Sequence, residues 1–425
     1  MKTLKQIASE LAGYDPQALS ADMVHQFLAN LVESVTQSEN VAIFDALGRV
    51  LARDIISPIS VPPHDNSAMD GYAFDGTQLS PDADLQLKIV GTALAGKAWT
   101  GQVQRGECVK IMTGAIMPTG LDTVVPQELA TLNDGQITIA KQVLQRGDNR
   151  RHLGEDLLQG QSALHQGERL GPAALGLIAS LGIHSVPVLR RLKVAYFSTG
   201  DEILSLGEAP REGAVYDSNR YTLFGLLTRL GVEPIDFGAV KDDPASLEAA
   251  FRRAAAEADV VITSGGVSVG EADHTKSIMR QLGDVAFWRI AMRPGRPMAV
   301  GRLQQAGRSA LLFGLPGNPV AVMVTFLAFV RPALLRLMDM ADAAALYLPA
   351  SSQEPIRKKP GRTEFQRGIA SRAADGSLQV RSTGQQGSGV LSSMAAANGL
   401  LVLPHDKGDV AAGEEVDVLM FDGVI

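Results

Sequence analysis

Cysteine is almost absent: one residue, Cys108, in a chain of 425. That excludes an intramolecular disulfide framework and any zinc cluster built on several thiolates. No uninterrupted apolar run reaches membrane-spanning length, and the first residues (MKTLKQ) lack the apolar core of a secretory signal, so a cytoplasmic protein without a membrane partner is expected. Nor is there a long basic run to offset the net charge of −7, which argues against a nucleic-acid partner. A small anionic substrate stays compatible, because one pocket can be basic on an acidic surface. Neither a complete phosphate-binding P-loop nor a dinucleotide GxGxxG occurs, and the seven histidines are scattered without a partner at metal-ligand spacing. Catalysis by positioning and metal-assisted electrostatics is favoured over covalent catalysis.

What is present begins with an ordinary globular balance, 45% hydrophobic and 20% charged, over a length that suits two to four domains. The most informative stretch runs from Val260 to Lys276. Val260, Val261 and Ile262 read as a buried strand that breaks at Ser264-Gly265-Gly266 and passes Ser268, Glu271 and Asp273 into a helix. Strand, glycine turn and helix start can cradle an anion on backbone N–H groups, and the carboxylates suit magnesium held against a phosphate. The same sequence also serves as a plain tight turn in an α/β sheet.

Elsewhere, Leu28, Leu31, Val32 and Val35 recur at helical spacing, and Val41 to Arg53 reads as a second amphipathic helical piece. His64 to Ala73 is dense in proline-bordered polar residues, the mark of a functional loop. Short strands with turns follow to about Leu144, predicting a small β domain with Met112-Thr113-Gly114 at one strand end. From Leu192 strands alternate with helices, as in a doubly wound parallel or mixed sheet. In such sheets ligands sit beyond the carboxyl ends of the strands, where Glu202, Asp242, Ser264 to Asp273 and Pro316 to Pro319 fall. Asp217-Ser218-Asn219 reads as a helix cap. Arg289, Arg293 and Arg296, stiffened by prolines, form either a cationic rim for an oxyanion or a solvated basic face. Arg362, Arg367 and Gln385-Gln386-Gly387-Ser388 offer a weaker anion-binding set near the end of the chain.

These residues resemble one family along essentially the whole chain and in the same order. The runs DNSAMDGY from Asp65, Met112-Thr113-Gly114, RHLGED from Arg151, Ser198 to Glu202, SGGVSVGEADHTK from Ser264, Leu315 to Pro319 and Phe365 to Gly368 are similar to molybdopterin molybdenumtransferases, the MoeA and gephyrin E-domain family. The resemblance implies a multidomain α/β chain with four parts. These are a discontinuous N-terminal helical domain (1–53 and 146–190), an inserted β domain (54–145), a doubly wound α/β molybdopterin-binding domain (191–338) and a C-terminal β-barrel (345–425).

The implied reaction is magnesium-dependent insertion of molybdate into adenylylated molybdopterin with release of AMP. The implied catalytic set is Asp65, Thr113, Asp156, Glu202, Asp242 and Asp273, with Glu202, Asp242 and Asp273 on the metal. Ser264, Gly265, Gly266 and Ser268 would cradle the phosphate or adenylate. Arg289, Arg293, Arg296, Arg367 and Ser388 would form the molybdate pocket, with Pro316, Asn318 and Pro319 beside it. The implied partners are a second copy of the chain across a shared active site, molybdopterin adenylyltransferase as upstream donor and molybdoenzyme chaperones downstream. One departure stands out: this chain has arginine at 289, 293 and 296, where the family commonly carries lysine, and the planar fork changes the hydrogen-bond geometry. An adenylyltransferase, a gephyrin-like scaffold and a non-catalytic nucleotide or sugar binder are the competing readings. The first would need little beyond Leu192 to Leu337.

Overall fold

The computed structural model describes residues 2–267, 273–340 and 346–421, with Asp273 described by its backbone alone. Its centre is a six-stranded mixed sheet. In chain order the strands are β1 (Lys193–Thr199), β2 (Glu233–Val240), β3 (Val260–Ser264), β4 (Gly283–Arg289), β5 (Pro297–Gln305) and β6 (Arg308–Leu315). Side by side they run β2-β1-β3-β6-β5-β4. The first four positions are parallel, and β5 runs antiparallel to both its neighbours. Val194 to Thr199 and Val260 to Ser264 are buried throughout, as expected of continuous apolar strands covered on both faces.

Helices cover those faces. Ser218–Leu230 opens on Asp217, whose carboxylate accepts from Arg220 N, and stops at Gly231 with φ +85°. Pro244–Glu257 opens in the same way on Asp243. The helical run Pro319–Leu337 is long and apolar enough to cross a membrane by composition, yet 78% of its most apolar window is buried inside the protein. It is the core helix of the central domain.

Helices Leu4–Glu10 and Ala21–Leu31 belong to that same core: Ile7, Phe27 and Leu31 pack in one cluster with Tyr196, Trp288 and Phe329. The second helical piece expected over Val41 to Arg53 does not form. Ser38–Ala42 is instead a strand paired antiparallel with Ser185–Leu189, followed by one tight turn at Ile43–Asp45. Pairing with a distant strand outweighs the local helical spacing, since Val41 lies opposite Val186 in the ladder. Ala46, Leu51 and Ile55 then share a core with Leu164, Ile178 and Val188, so the chain leaves and re-enters one unit.

Between those two passes a second six-stranded sheet is inserted, spanning Gly71–Phe74 to Gln136–Ile139. At the other end of the chain, strands Tyr347–Ser352, Thr363–Arg372, Leu378–Ser382, Gly399–Leu403 and Glu415–Met420 close into a five-stranded barrel, because Thr363–Arg372 pairs on both sides. The two residues Met292–Arg293 extend the barrel sheet by pairing with Thr363–Glu364. That pairing draws the barrel against the carboxyl edge of the central sheet.

Candidate active site

Parallel strands β1, β2, β3 and β6 all end on one edge, so the loops that follow them converge there. A cleft of about 1030 Å³ opens at this edge. Its lining begins at Thr199 and includes Glu202, Asp217, Asn219, Ser264 and Gly265 from the central domain. Arg293 to Pro297 and Pro316 to Pro319 supply a second stretch, and the barrel contributes Arg362 and Gln386 to Gly389.

The turn after β3 requires glycine. Gly265 has φ +90°, and a Cβ there would lie 2.5 Å from the Thr199 carbonyl oxygen. At Gly266, with φ +68°, a Cβ would meet the Thr275 methyl at 2.7 Å. Beneath the turn, Ser264 Oγ lies 3.0 Å from Ser198 Oγ, which donates to Asp217 Oδ1 at 2.8 Å. The hydroxyls and the carboxylate are therefore wired together under the cleft surface.

Cationic character comes from two loops. Arg293 and Arg296 are exposed to the cleft on a loop closed by Ile290 N donating to Arg296 O at 2.7 Å. Arg362 reaches in from the barrel, its Nε donating to Glu364 Oε1 at 2.8 Å and its other nitrogen 2.6 Å from the same oxygen. Glu364 is only 2% exposed, so Arg362 is held by a rigid carboxylate. Arg367 has a different place. It is fully buried and does not line the cleft. Its guanidinium donates to the carbonyls of Gln385, Gln386 and Gly387 and to Ser393 Oγ, and burial followed by the nearby Arg293 charge pulls its pKa down. Arg367 thus shapes the loop that presents Ser388, which is itself pinned by Asn318 Nδ2 at 3.1 Å.

Other residues singled out from sequence lie elsewhere. Arg289 ends β4 on the same edge, with its backbone bonded to Pro16 and Leu19, and it is outside the lining. Asp242 follows β2; its N–H donates to Asp201 Oδ1 and its Oδ1 accepts from Thr275, both at 3.3 Å. Ser268 and the Asp273 side chain lie outside the described residues. Asp65, Thr113 and Asp156 fall together in a separate loop cluster. There Asp65 accepts from Leu153 N at 2.7 Å and pairs with Arg150 at 2.8 Å. Thr113 donates twice to Asp70, whose carboxyl is held below the usual range chiefly by the Thr113 N–H. Asp156 N–H donates to Val61 O. Among the described residues, nothing from this cluster lines the cleft.

Asp217 and Asn219 line the cleft although the sequence marks them only as a helix cap. The signal available was position: their helix opens beyond the carboxyl end of β1.

Fold and cleft define a multidomain α/β protein with a cationic ligand cleft at the edge of a doubly wound sheet. Residues 19–182 match the MoeA N-terminal region (domain I and II), residues 195–336 a probable molybdopterin binding domain, and residues 349–421 the MoeA C-terminal region (domain IV). The molybdopterin molybdenumtransferase of Haemophilus influenzae is 41% identical over 96% of this chain and all of that protein. Molybdopterin molybdenumtransferase 2 of Mycobacterium tuberculosis is 36% identical over 89% and 94% of the two chains. A crystal structure of the molybdopterin biosynthesis MoeA protein from Pyrococcus horikoshii superposes with a TM-score of 0.82 at 28% identity, covering 95% of this chain and 100% of that one. The chain belongs to the molybdopterin molybdenumtransferase family, enzymes of molybdenum cofactor biosynthesis.

Proposed function

We propose that this chain inserts molybdate into adenylylated molybdopterin with magnesium-dependent release of AMP. The observation that carries the reading is the convergence of Arg293, Arg296 and Arg362 on a cleft floored by the Ser264-Gly265 turn. Three guanidiniums suit two anionic groups, molybdate and the substrate phosphates, better than one. Glycine at Gly265 lets the turn pack against the Thr199 carbonyl and so keeps its backbone at the floor of the cleft.

Magnesium is tested by the donors at hand. Among the described residues no group of three His, Cys, Asp or Glu side chains could hold a metal ion. Magnesium commonly needs only one or two carboxylates when substrate phosphates supply the rest, and Glu202 and Asp242, beyond neighbouring strands, offer that chemistry. Bound there, the ion would neutralise phosphate charge, while the arginines orient the oxyanion and the turn positions the phosphate.

A second copy of the chain is part of the proposal. The Asp65, Thr113 and Asp156 cluster lines no part of this cleft, so in the proposal it completes the site of a second copy. Phe44, 93% exposed, and the exposed Leu47 offer that copy apolar surface. The proposed setting is the cytoplasm, with molybdopterin adenylyltransferase as donor and molybdoenzyme chaperones as recipients.

AMP release from adenylylated molybdopterin, measured with and without magnesium and molybdate, tests the proposal. Release that needs both is expected, and Asp242→Asn should abolish it without moving the thermal unfolding midpoint. Release independent of molybdate would sink the insertion reaction.

A further inference from the structure

The cleft lining contains two side chains whose hydrogen bonding is half complete. Asp217 is 2% exposed and Asn219 8%. Asp217 Oδ1 accepts from Ser198 Oγ at 2.8 Å and from Arg220 N at 3.1 Å, while its Oδ2 is buried with no partner among the described residues. Asn219 Nδ2 donates to Gly317 O at 2.7 Å, which fixes the amide, and its Oδ1 is likewise buried with no partner among the described residues. Buried polar groups of this kind are normally satisfied. Two of them two positions apart, on the wall of one cleft, mark a place for something else.

Both unpartnered atoms are acceptors: one is an oxygen of the Asp217 carboxylate, the other an amide oxygen whose nitrogen is already committed. A fully deprotonated oxyanion does not fit there, since it carries only lone pairs to offer. The ligand must present hydrogen-bond donors, and N–H groups on a flat ring edge are the pair this wall suits. The guanidiniums of Arg293, Arg296 and Arg362 have the reverse requirement, so the cleft reads a molecule with one anionic part and one donor-bearing part.

We propose that Asp217 and Asn219 form the subsite that reads the N–H edge of the pterin ring. This rests on the reading of the substrate as a molybdopterin. A 2-amino-4-oxo pyrimidine edge carries an amino group and a ring N–H next to each other, two donors for the two free acceptors, Asp217 Oδ2 and Asn219 Oδ1. Adenine offers an amino group beside a bare ring nitrogen, which would face an acceptor with an acceptor. The subsite therefore sorts the two heterocycles of an adenylylated pterin, sending the pterin to Asp217 and leaving the adenine elsewhere.

Asp217→Asn isolates the claim. Its carbonyl stays where Ser198 and Arg220 donate, so the helix cap survives, and an NH2 group replaces the free acceptor. Fluorescence titration of the full chain with 2-amino-4-oxopteridine and with 2,4-dioxopteridine, which has oxygen in place of the 2-amino group, reads the outcome. Wild type is expected to favour the amino compound about tenfold, the worth of one well-placed hydrogen bond. In the variant that preference should vanish, with the dioxo compound gaining as the amino compound weakens. A variant that keeps the preference overturns the subsite, and so does parallel weakening of both compounds, which would mean general damage. Wild type that prefers the amino compound but releases no AMP from adenylylated molybdopterin keeps the subsite and removes the proposed reaction. Normal AMP release with no preference between the pteridines removes the subsite alone.

Discussion

Gly265, Arg293 and Arg367 show three different ways in which one side chain matters to the cleft. Replacing Gly265 by alanine forces a Cβ to 2.5 Å from the Thr199 carbonyl at φ +90°. The expected cost is about 1–3 kcal/mol of stability, read as a lowered urea midpoint, together with weaker anion binding. Arg293 is exposed to the cleft, so Arg293→Ala should leave stability within about 0.5 kcal/mol and weaken molybdate binding about tenfold or more by calorimetry. Arg367→Ala should behave in the opposite order. Removing its fully buried guanidinium strands three carbonyls and Ser393 Oγ, costing about 3 kcal/mol or more, and weakens anion binding only by loosening the loop that holds Ser388. Local pattern kept Arg293 and Arg367 in two separate sets, and only the family resemblance put them in one molybdate pocket. Burial separates them, and burial of a particular cation depends on which carbonyls fold around it.

Among the elements, the strand-loop-helix units of the central domain were legible because each carries its own signals: an apolar run, a cap at Asp217 or Asp243, a stop at Gly231. Val41 to Arg53 misled because its partner strand, Ser185–Leu189, is more than a hundred positions away and leaves no mark on local spacing. The entry into β1 is secured by Asp259, which takes Arg190 in two bonds of 2.7 and 2.8 Å and accepts from Lys193 N at 2.9 Å. Burial alone would raise the Asp259 pKa, but the Arg190 pair, the Lys193 N–H and the charges of Arg190 and Arg308 outweigh it and hold the carboxyl below the usual range. A folded-state pKa that is depressed gives stability above the unfolded value, and that stability is lost as pH falls through the folded value. Asp259→Ala should therefore cost about 2–3 kcal/mol at neutral pH, and the gap from wild type should narrow toward about pH 3. Denaturant titrations of both chains at the two pH values would show it; a gap that widens in acid would refute the assignment.

For the molecule as a whole, the cleft is a product of distant stretches: the loops after β1, β3 and β6, the Arg293 to Pro297 loop, and the barrel segments at Arg362 and Gln386 to Gly389. The Asp65, Thr113 and Asp156 cluster stays out of it. If the second copy supplies that cluster, mixing an Asp65→Ala chain with an Asp242→Asn chain should restore part of the AMP-releasing activity that each lacks alone, up to about a quarter of the wild-type sites, because random pairing makes about half of the dimers heterodimers with one intact site each. No recovery in the mixture would count against a site built across two copies.

Period-two and period-3.6 patterns, the glycine turn at Gly265 and the paired-arginine loop are local properties, so the alternating α/β domain, the β-rich flanks and most of the candidate residues could be read from the chain alone. Which of those residues share a cleft is a matter of distances between segments that no local pattern encodes. Asp217 and Asn219 look like a helix cap in sequence, and they are one; only the approach of Gly317 and Ser198 commits half of each side chain and leaves two acceptors on the cleft wall. Arg362 became a cleft residue, and Arg367 a buried clamp, when the barrel closed on the sheet edge through the Met292–Arg293 pairing. Hydrogen-bond satisfaction under burial, settled by the whole fold at once, made that division.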